Sequence, residues 1–142
     1  DVNPVEAGYG SFVKLHKPFF VGRRAMVEAA TKRDREIVRF VVSGRGPRLI
    51  RPGHVVVDGR KGRYAGVVTS CTLAGSREVG LALVRRNLSM EDTPLQVFPY
   101  KRKDKMPDKV DLHDMGGQDW IPISRAARVL SRFPGVGGPA AE

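Results

Sequence analysis

Three short runs in this 142-residue chain hold residue types that could do chemistry. Thr69-Ser70-Cys71 sets two hydroxyls beside the only thiol, Asp111-Leu112-His113-Asp114 groups two carboxylates with an imidazole, and Gly44-Arg45-Gly46 has the composition of an anion-cradling loop. Each lacks the context its chemistry needs. A nucleophile requires a base within hydrogen-bond reach, and Thr69-Ser70-Cys71 lies in a strand-like run with no partner base. Two carboxylates and one imidazole in four loop positions read as a polar turn rather than a metal site. The glycine pair is not followed by the strand-turn-helix frame of a nucleotide loop, and no G-x-S-x-G is present. His16 and His54 show no ligand spacing. No catalytic residue and no metal ligand is therefore expected here.

Charge is the next constraint. The 25 Lys and Arg against 15 Asp and Glu give +10, a balance compatible with a polyanion partner. The cations, however, come as scattered groups: Arg23-Arg24, Lys32-Arg33 with Arg35, Arg60-Lys61 with Arg63, Arg85-Arg86 and Lys101-Arg102-Lys103. Many sit in turns or beside Asp34, Glu36, Asp58 and Asp104, and aromatic residues are only 7%. A solvated basic surface is expected, and nucleic acid is not the expected partner. A noncatalytic basic barrel that binds nucleic acid or docks a partner stands as the alternative function.

The elements that must hold these residues follow from periodicity. Residues 1–10 carry Pro4, Gly8 and Gly10 and predict a looped entry, and residues 11–15 a short strand. Residues 22–33 predict a helix, with Ala25, Met26, Ala29 and Ala30 on one face. Valine-rich runs at 37–42, 54–57, 63–69, 79–84 and 95–98, separated by glycine-bearing turns, predict strands. Asp58-Gly59 and Lys61-Gly62 mark a hairpin between two of them. Short, evenly spaced strands with one helix indicate a mainly β fold: a small antiparallel Greek-key type barrel with one packed N-terminal helix. Residues 100–119 read as a surface excursion and 135–142 as a flexible tail. The chain holds one core's worth of residues, with no apolar run long enough for a membrane span and no readable signal peptide. A lone cysteine suits a reducing compartment, so a cytoplasmic setting is expected.

The order of short motifs resembles a known family. Asn3-Pro4-Val5-Glu6, the apolar run from Phe12 to Leu15, Lys17 and Phe20-Val21-Gly22-Arg23 resemble the aminomethyltransferases, the T-proteins of the glycine cleavage system, where folate-binding domains hand over to a C-terminal barrel. Residues 39–42, Arg51-Pro52-Gly53-His54, Gly66-Val67-Val68-Thr69-Ser70, residues 79–84 and residues 127–134 continue the likeness. It covers residues 2–134, with an insertion at about 100–120. After Ser70 the family usually has glycine and then a serine-proline pair, where Cys71-Thr72-Leu73-Ala74-Gly75 stands here.

The resemblance implies three regions: a linker strand and helix at 1–34, a C-terminal barrel domain at 35–134 and a tail at 135–142. It implies a transferase that takes the aminomethyl group from the lipoyl arm of the H-protein and passes a one-carbon unit to tetrahydrofolate. In the family the aspartate that positions tetrahydrofolate chemistry and most pterin contacts lie in preceding domains, so this chain alone is expected to be inactive. Its implied partners are the rest of the same enzyme and lipoylated H-protein. Lys17, Lys14 and Arg132 are the positions that the resemblance places near the folate's glutamate carboxylates, and Glu6 is expected to tie the linker to the folate domain or to accept a backbone hydrogen bond.

Overall fold

The structure, a computed structural model, describes residues 2–44, 46, 48–101 and 124–131. Residues 111–114, the excursion beyond Lys101, the tail at 135–142 and Arg132 lie outside the described residues. After an N-terminal arm come one helix, α1 (Arg23–Thr31), and six strands: β1 (Arg35–Val42), β2 (His54–Asp58), β3 (Tyr64–Ala74), β4 (Arg77–Arg85), β5 (Pro94–Lys101) and β6 (Arg125–Leu130). All strand pairs are antiparallel, in the closed order β1-β4-β3-β2-β5-β6, with β6 returning to β1. Because β2, β3 and β4 are consecutive hairpins and β1 lies beside β4, the topology is a Greek key, as expected.

Alternation explains the core. Val38, Phe40 and Val42 of β1 face inward with Ala82 and Val84 of β4, Leu95 and Val97 of β5, and Ala127 and Val129 of β6. Small and large residues alternate to fill a narrow interior. Phe40 is the largest fully buried side chain and lies against Gly80, where a Cβ would come within 2.8 Å of the ring and 2.4 Å of the Ser70 carbonyl. The Val55-Val56-Val57 run of β2 is buried on both faces, which is why it is continuously apolar instead of alternating.

The hairpin signal holds: Gly62, at φ 65°, turns the chain, while Asp58 and Arg63 pair and the Asp58 carboxylate accepts the Arg60 N–H at 2.8 Å. In β3, Val68 faces Ala82 and Ser70 faces Leu81, so Thr69 is an extra bulged residue whose hydroxyl donates to the Leu81 carbonyl at 3.1 Å. Three expectations are corrected. Residues 11–15 form no strand; a 3-10 turn at Gly10–Phe12 stands there, because a closed barrel offers no free edge for another strand. The helix starts at Arg23 after Gly22, which caps it at φ 84°, and of its expected face only Met26, Ala29 and Ala30 are half-buried while Ala25 is exposed. The last strand starts at Arg125, two residues before the expected position.

That early start matters because Arg125 points inward with Ala127 and Val129. It meets Glu78, the inward residue of β4, in a buried ion pair. The guanidinium also donates to the carbonyls of Gly44 and Arg48, and the second Glu78 oxygen accepts the Ile50 N–H at 3.0 Å. The connection from β1 to β2 is thereby fastened across one end of the barrel. A Cβ at Gly46 would lie 2.6 Å from Arg125 Nε, so the glycine is needed for this close approach.

Glu78→Ala should cost about 3–5 kcal/mol, because it leaves a buried guanidinium without its counter-charge. The joint change Glu78→Leu with Arg125→Met should recover most of that loss. Urea unfolding followed by circular dichroism checks both; a Glu78→Ala loss below about 1 kcal/mol would show that the pair is not what holds the loop.

Candidate functional site

The positions singled out by the sequence sit on the N-terminal arm, and the arm is built from its first residues. Asn3 Oδ1 accepts the N–H groups of Val5 and Glu6 at 3.0 and 2.9 Å, while Glu6 Oε2 accepts the Asn3 N–H at 3.1 Å, a reciprocal arrangement that closes a tight turn. Glu6 is itself buried, and its Oε1 accepts from Arg35 Nε of β1 at 3.2 Å. The Ile37 N–H donates to the Glu6 carbonyl at 2.8 Å, and Val5 is buried. Glu6 therefore accepts a backbone hydrogen bond, one of its two expected roles, and within this chain its carboxylate ties the arm to β1.

Further along, the Lys17 N–H donates to the Lys14 carbonyl at 3.1 Å, and Arg23 Nε donates to the Leu15 carbonyl at 3.1 Å. Lys14 and Lys17 are thus the two ends of one turn, tied to the start of α1, and both side chains are exposed. The turn places the two residues three apart on one exposed segment. Arg132, outside the described residues, is not placed relative to them. His16 is exposed, whereas His54 is buried and its Nδ1 accepts the Arg51 N–H at 3.2 Å, so the two are not brought together. Among the described residues no group of three or more His, Cys, Asp or Glu could hold a metal ion.

Two open grooves lie on the barrel, one of them beside the arm. One, of about 340 Å³, crosses the barrel past Ser70, Cys71, Thr72, Arg39, Leu81 and Leu130. The other, of about 510 Å³, runs under the arm past Tyr9, Phe12, Ile37, Arg39, Leu81 and Leu130. Arg39, Leu81 and Leu130 line both. Among the described residues every buried side-chain nitrogen and oxygen has a hydrogen-bond partner, so no unpaired buried polar group points toward a ligand. Cys71 is packed against the core, and burial first, then the Glu78 carboxylate, raise its pKa above the ordinary 9.0, outweighing the Thr72 backbone hydrogen bond and Arg125. A thiol held protonated is a poor nucleophile.

Sequence reasoning did not find Glu78, Arg125, or the grouping of Arg39, Leu81 and Leu130. The first pair had a signal: Glu78 shares strand parity with Gly80, Ala82 and Val84, so an inward charge required an opposite one. The groove had none, since its residues come from three strands and meet only on closure.

The chain is similar to curated aminomethyltransferases. It is 35% identical over 101 residues to that of Thermotoga neapolitana, covering 70% of this chain and 26% of the relative. It is 35% identical over 107 residues to that of Alkaliphilus oremlandii, covering 72% of this chain and 27% of the relative. The chain thus spans about a quarter of the length of the curated relatives it matches. The fold is that of part of the glycine cleavage system aminomethyltransferase T from Bartonella henselae, with a TM-score of 0.65 and 24% identity over 93% of this chain and 32% of that one. No family model matches. The named relatives show a likeness to aminomethyltransferases over about 70% of this chain, and the structural neighbour shows the fold.

The raised pKa of Cys71 has a measurable consequence. Iodoacetamide at pH 7.5 should alkylate the folded chain at least several-fold more slowly than the urea-unfolded chain, with the folded rate still climbing at alkaline pH where the unfolded rate has levelled off. Because the folded thiol holds its proton more tightly than the unfolded one, the associated stability is complete at neutral pH and is lost as pH rises through the folded pKa. Equal alkylation of folded and unfolded chains at pH 7.5 would contradict this.

Proposed function

We propose that this chain is the C-terminal barrel region of a tetrahydrofolate-dependent aminomethyltransferase of the glycine cleavage T-protein kind, which transfers a one-carbon unit to tetrahydrofolate. The observation that carries the proposal is the 35% identity over 101 residues to an enzyme of that name, of which this chain spans 26%. On this reading residues 1–34 are the linker strand and helix, residues 35–134 the barrel domain and residues 135–142 the tail. Activity then belongs to the full-length enzyme, with the pterin held mainly in its preceding domains. Lipoylated H-protein is the proposed donor partner, and the cytoplasm the proposed setting.

The chemistry of the residues fits the acidic tail of the cofactor better than its ring. A flat pterin needs an enclosed slot with convergent donors and acceptors. The two grooves are open, and the described residues offer no unpaired buried polar group. Flexible carboxylates need exposed cations on a fixed base, and the turn closed by Lys14 and Lys17 supplies them. Arg132 is proposed as a third cation at this rim. The role of the barrel is then to hold the arm, and the role of the arm is to orient the tail and draw it in.

Calorimetry with reduced polyglutamyl folate tests the assignment. The full-length enzyme should bind, and the 142-residue chain alone should bind weakly or not at all. In the full-length enzyme Lys17→Ala should weaken binding several-fold, about 1 kcal/mol, and less at high salt. A Lys101→Ala, Lys103→Ala double variant should leave affinity unchanged. Equal losses in the two variants would remove Lys17 from the site. Salt-sensitive binding of RNA by the chain, with no folate binding by the full-length protein, would favour the basic-barrel alternative.

A further inference from the structure

We propose that Arg60, Lys61 and Arg63 of the β2–β3 turn, together with Arg85 and Arg86 at the end of β4, form a binding surface for the phosphodiester backbone of nucleic acid. The inference goes beyond the folate reading and does not depend on it, since it concerns the outside of the barrel in this chain alone.

The cation groups are scattered along the sequence, but closure of the sheet gathers them. Val56 pairs with Gly66, Gly66 with Val84 and Val84 with Glu36, so one row crosses β2, β3, β4 and β1. Arg63 lies three residues before Gly66 and Arg86 two after Val84, and antiparallel strands carry both toward the same end of the barrel. Neighbouring strands are about 4.8 Å apart, so the β2–β3 turn and the end of β4 stand side by side. All five residues are exposed.

The acids at this end lie elsewhere or are already engaged. Glu6 and Asp34 meet Arg35, and Glu36 meets Arg33, all on the β1 side. Asp92 pairs with Arg128 of β6 at 3.0 Å, and Glu91 lines the groove that takes in Leu130. Asp58 is buried, and its carboxylate accepts the backbone N–H of Arg60. Among the described residues none of the five cations makes an ion pair, so their charges add at the corner between β3 and β4.

The make-up of this surface selects a phosphate backbone over a protein. None of the exposed large apolar residues falls within 59–66 or 84–88, whereas a protein interface needs an apolar or aromatic centre from which lysine is depleted. Four of the five cations are arginine, whose planar fork grips phosphate oxygens two at a time. Neither open groove is lined by any of the five, so no pocket for a base adjoins them. Contacts made to the backbone alone carry no sequence information.

Fluorescence anisotropy of the 142-residue chain with labelled single-stranded oligouridylate and oligoadenylate tests this. Both should bind alike, with affinity falling steeply as salt rises. Arg85→Glu with Arg86→Glu should lower affinity at least about tenfold, and so should Arg60→Glu with Arg63→Glu. Arg48→Glu with Arg51→Glu makes the same charge change in the β1–β2 connection, at the other end of the barrel, and should lower affinity no more than about twofold, because that end lies beyond the screening distance. Circular dichroism checks that each variant is folded. Equal losses in all three double variants overturn the proposal, since net charge alone would then account for binding. So does a lack of binding at low salt. Tighter binding of polyglutamate than of either oligonucleotide also overturns it and would assign the surface to an acidic polypeptide.

Discussion

The buried pair of Glu78 and Arg125 is the constraint on which the rest of this barrel depends. Two charges removed from water are tolerated only if their attraction is complemented by hydrogen bonds to the remaining donors and acceptors. The chain meets that demand with backbone: the Ile50 N–H satisfies Glu78, and the carbonyls of Gly44 and Arg48 satisfy Arg125. Strands β4 and β6 are not neighbours in the sheet, and β1 lies between them. The pair therefore spans the barrel interior, fixes the spacing of three strands and pulls the connection from β1 to β2 over the open end. Ile50 is carried with it into the core.

Most of the fold was legible because the inner face is a simple alternation. Val38, Phe40 and Val42, or Ala82 and Val84, can be read as one face from spacing alone, and the glycine hairpin between β2 and β3 is stated outright by Asp58-Gly59 and Lys61-Gly62. What stayed hidden depends on closure. Residues 11–15 look like a strand locally, but pairing requires an edge, and the ring of six strands leaves none. The Thr69 bulge likewise shows only when β3 is set against β4. Of the positions proposed for the folate tail, Lys14 and Lys17 lie in a turn that sequence did not foretell, since it rests on one backbone hydrogen bond and on Arg23 reaching back to Leu15.

Charge also separates the two ends of the barrel. At the Glu78 end the ion pair is sealed and acts through geometry. At the end where the arm enters, Arg35 is 47% exposed on its side chain while Glu6 is 6% exposed, so that contact is partly screened and each bond within it is modest. Its strength comes from numbers: the Asn3 turn, the Ile37 backbone bond and the buried Val5 all act together with the ion pair.

The register of the sheet shows why the arm cannot be a passive linker. Arg35 of β1 stands directly opposite Arg85 of β4, a like-charge cross-strand pair that on its own opposes the pairing of the two strands. Glu6 supplies the counter-charge for Arg35, aided by Asp34 at 3.8 Å. Docking of the arm and pairing of β1 with β4 are therefore coupled: the barrel edge is electrostatically incomplete until Glu6 arrives. With Glu6 fixed at this edge, the Tyr9 and Phe12 rings and the Lys14 to Lys17 turn follow within a few residues along a chain tied down again at Arg23. A surface arm of short turns, which would otherwise sample many positions, is held at both ends, and that constraint gives its exposed aromatic and cationic side chains a defined place beside the barrel.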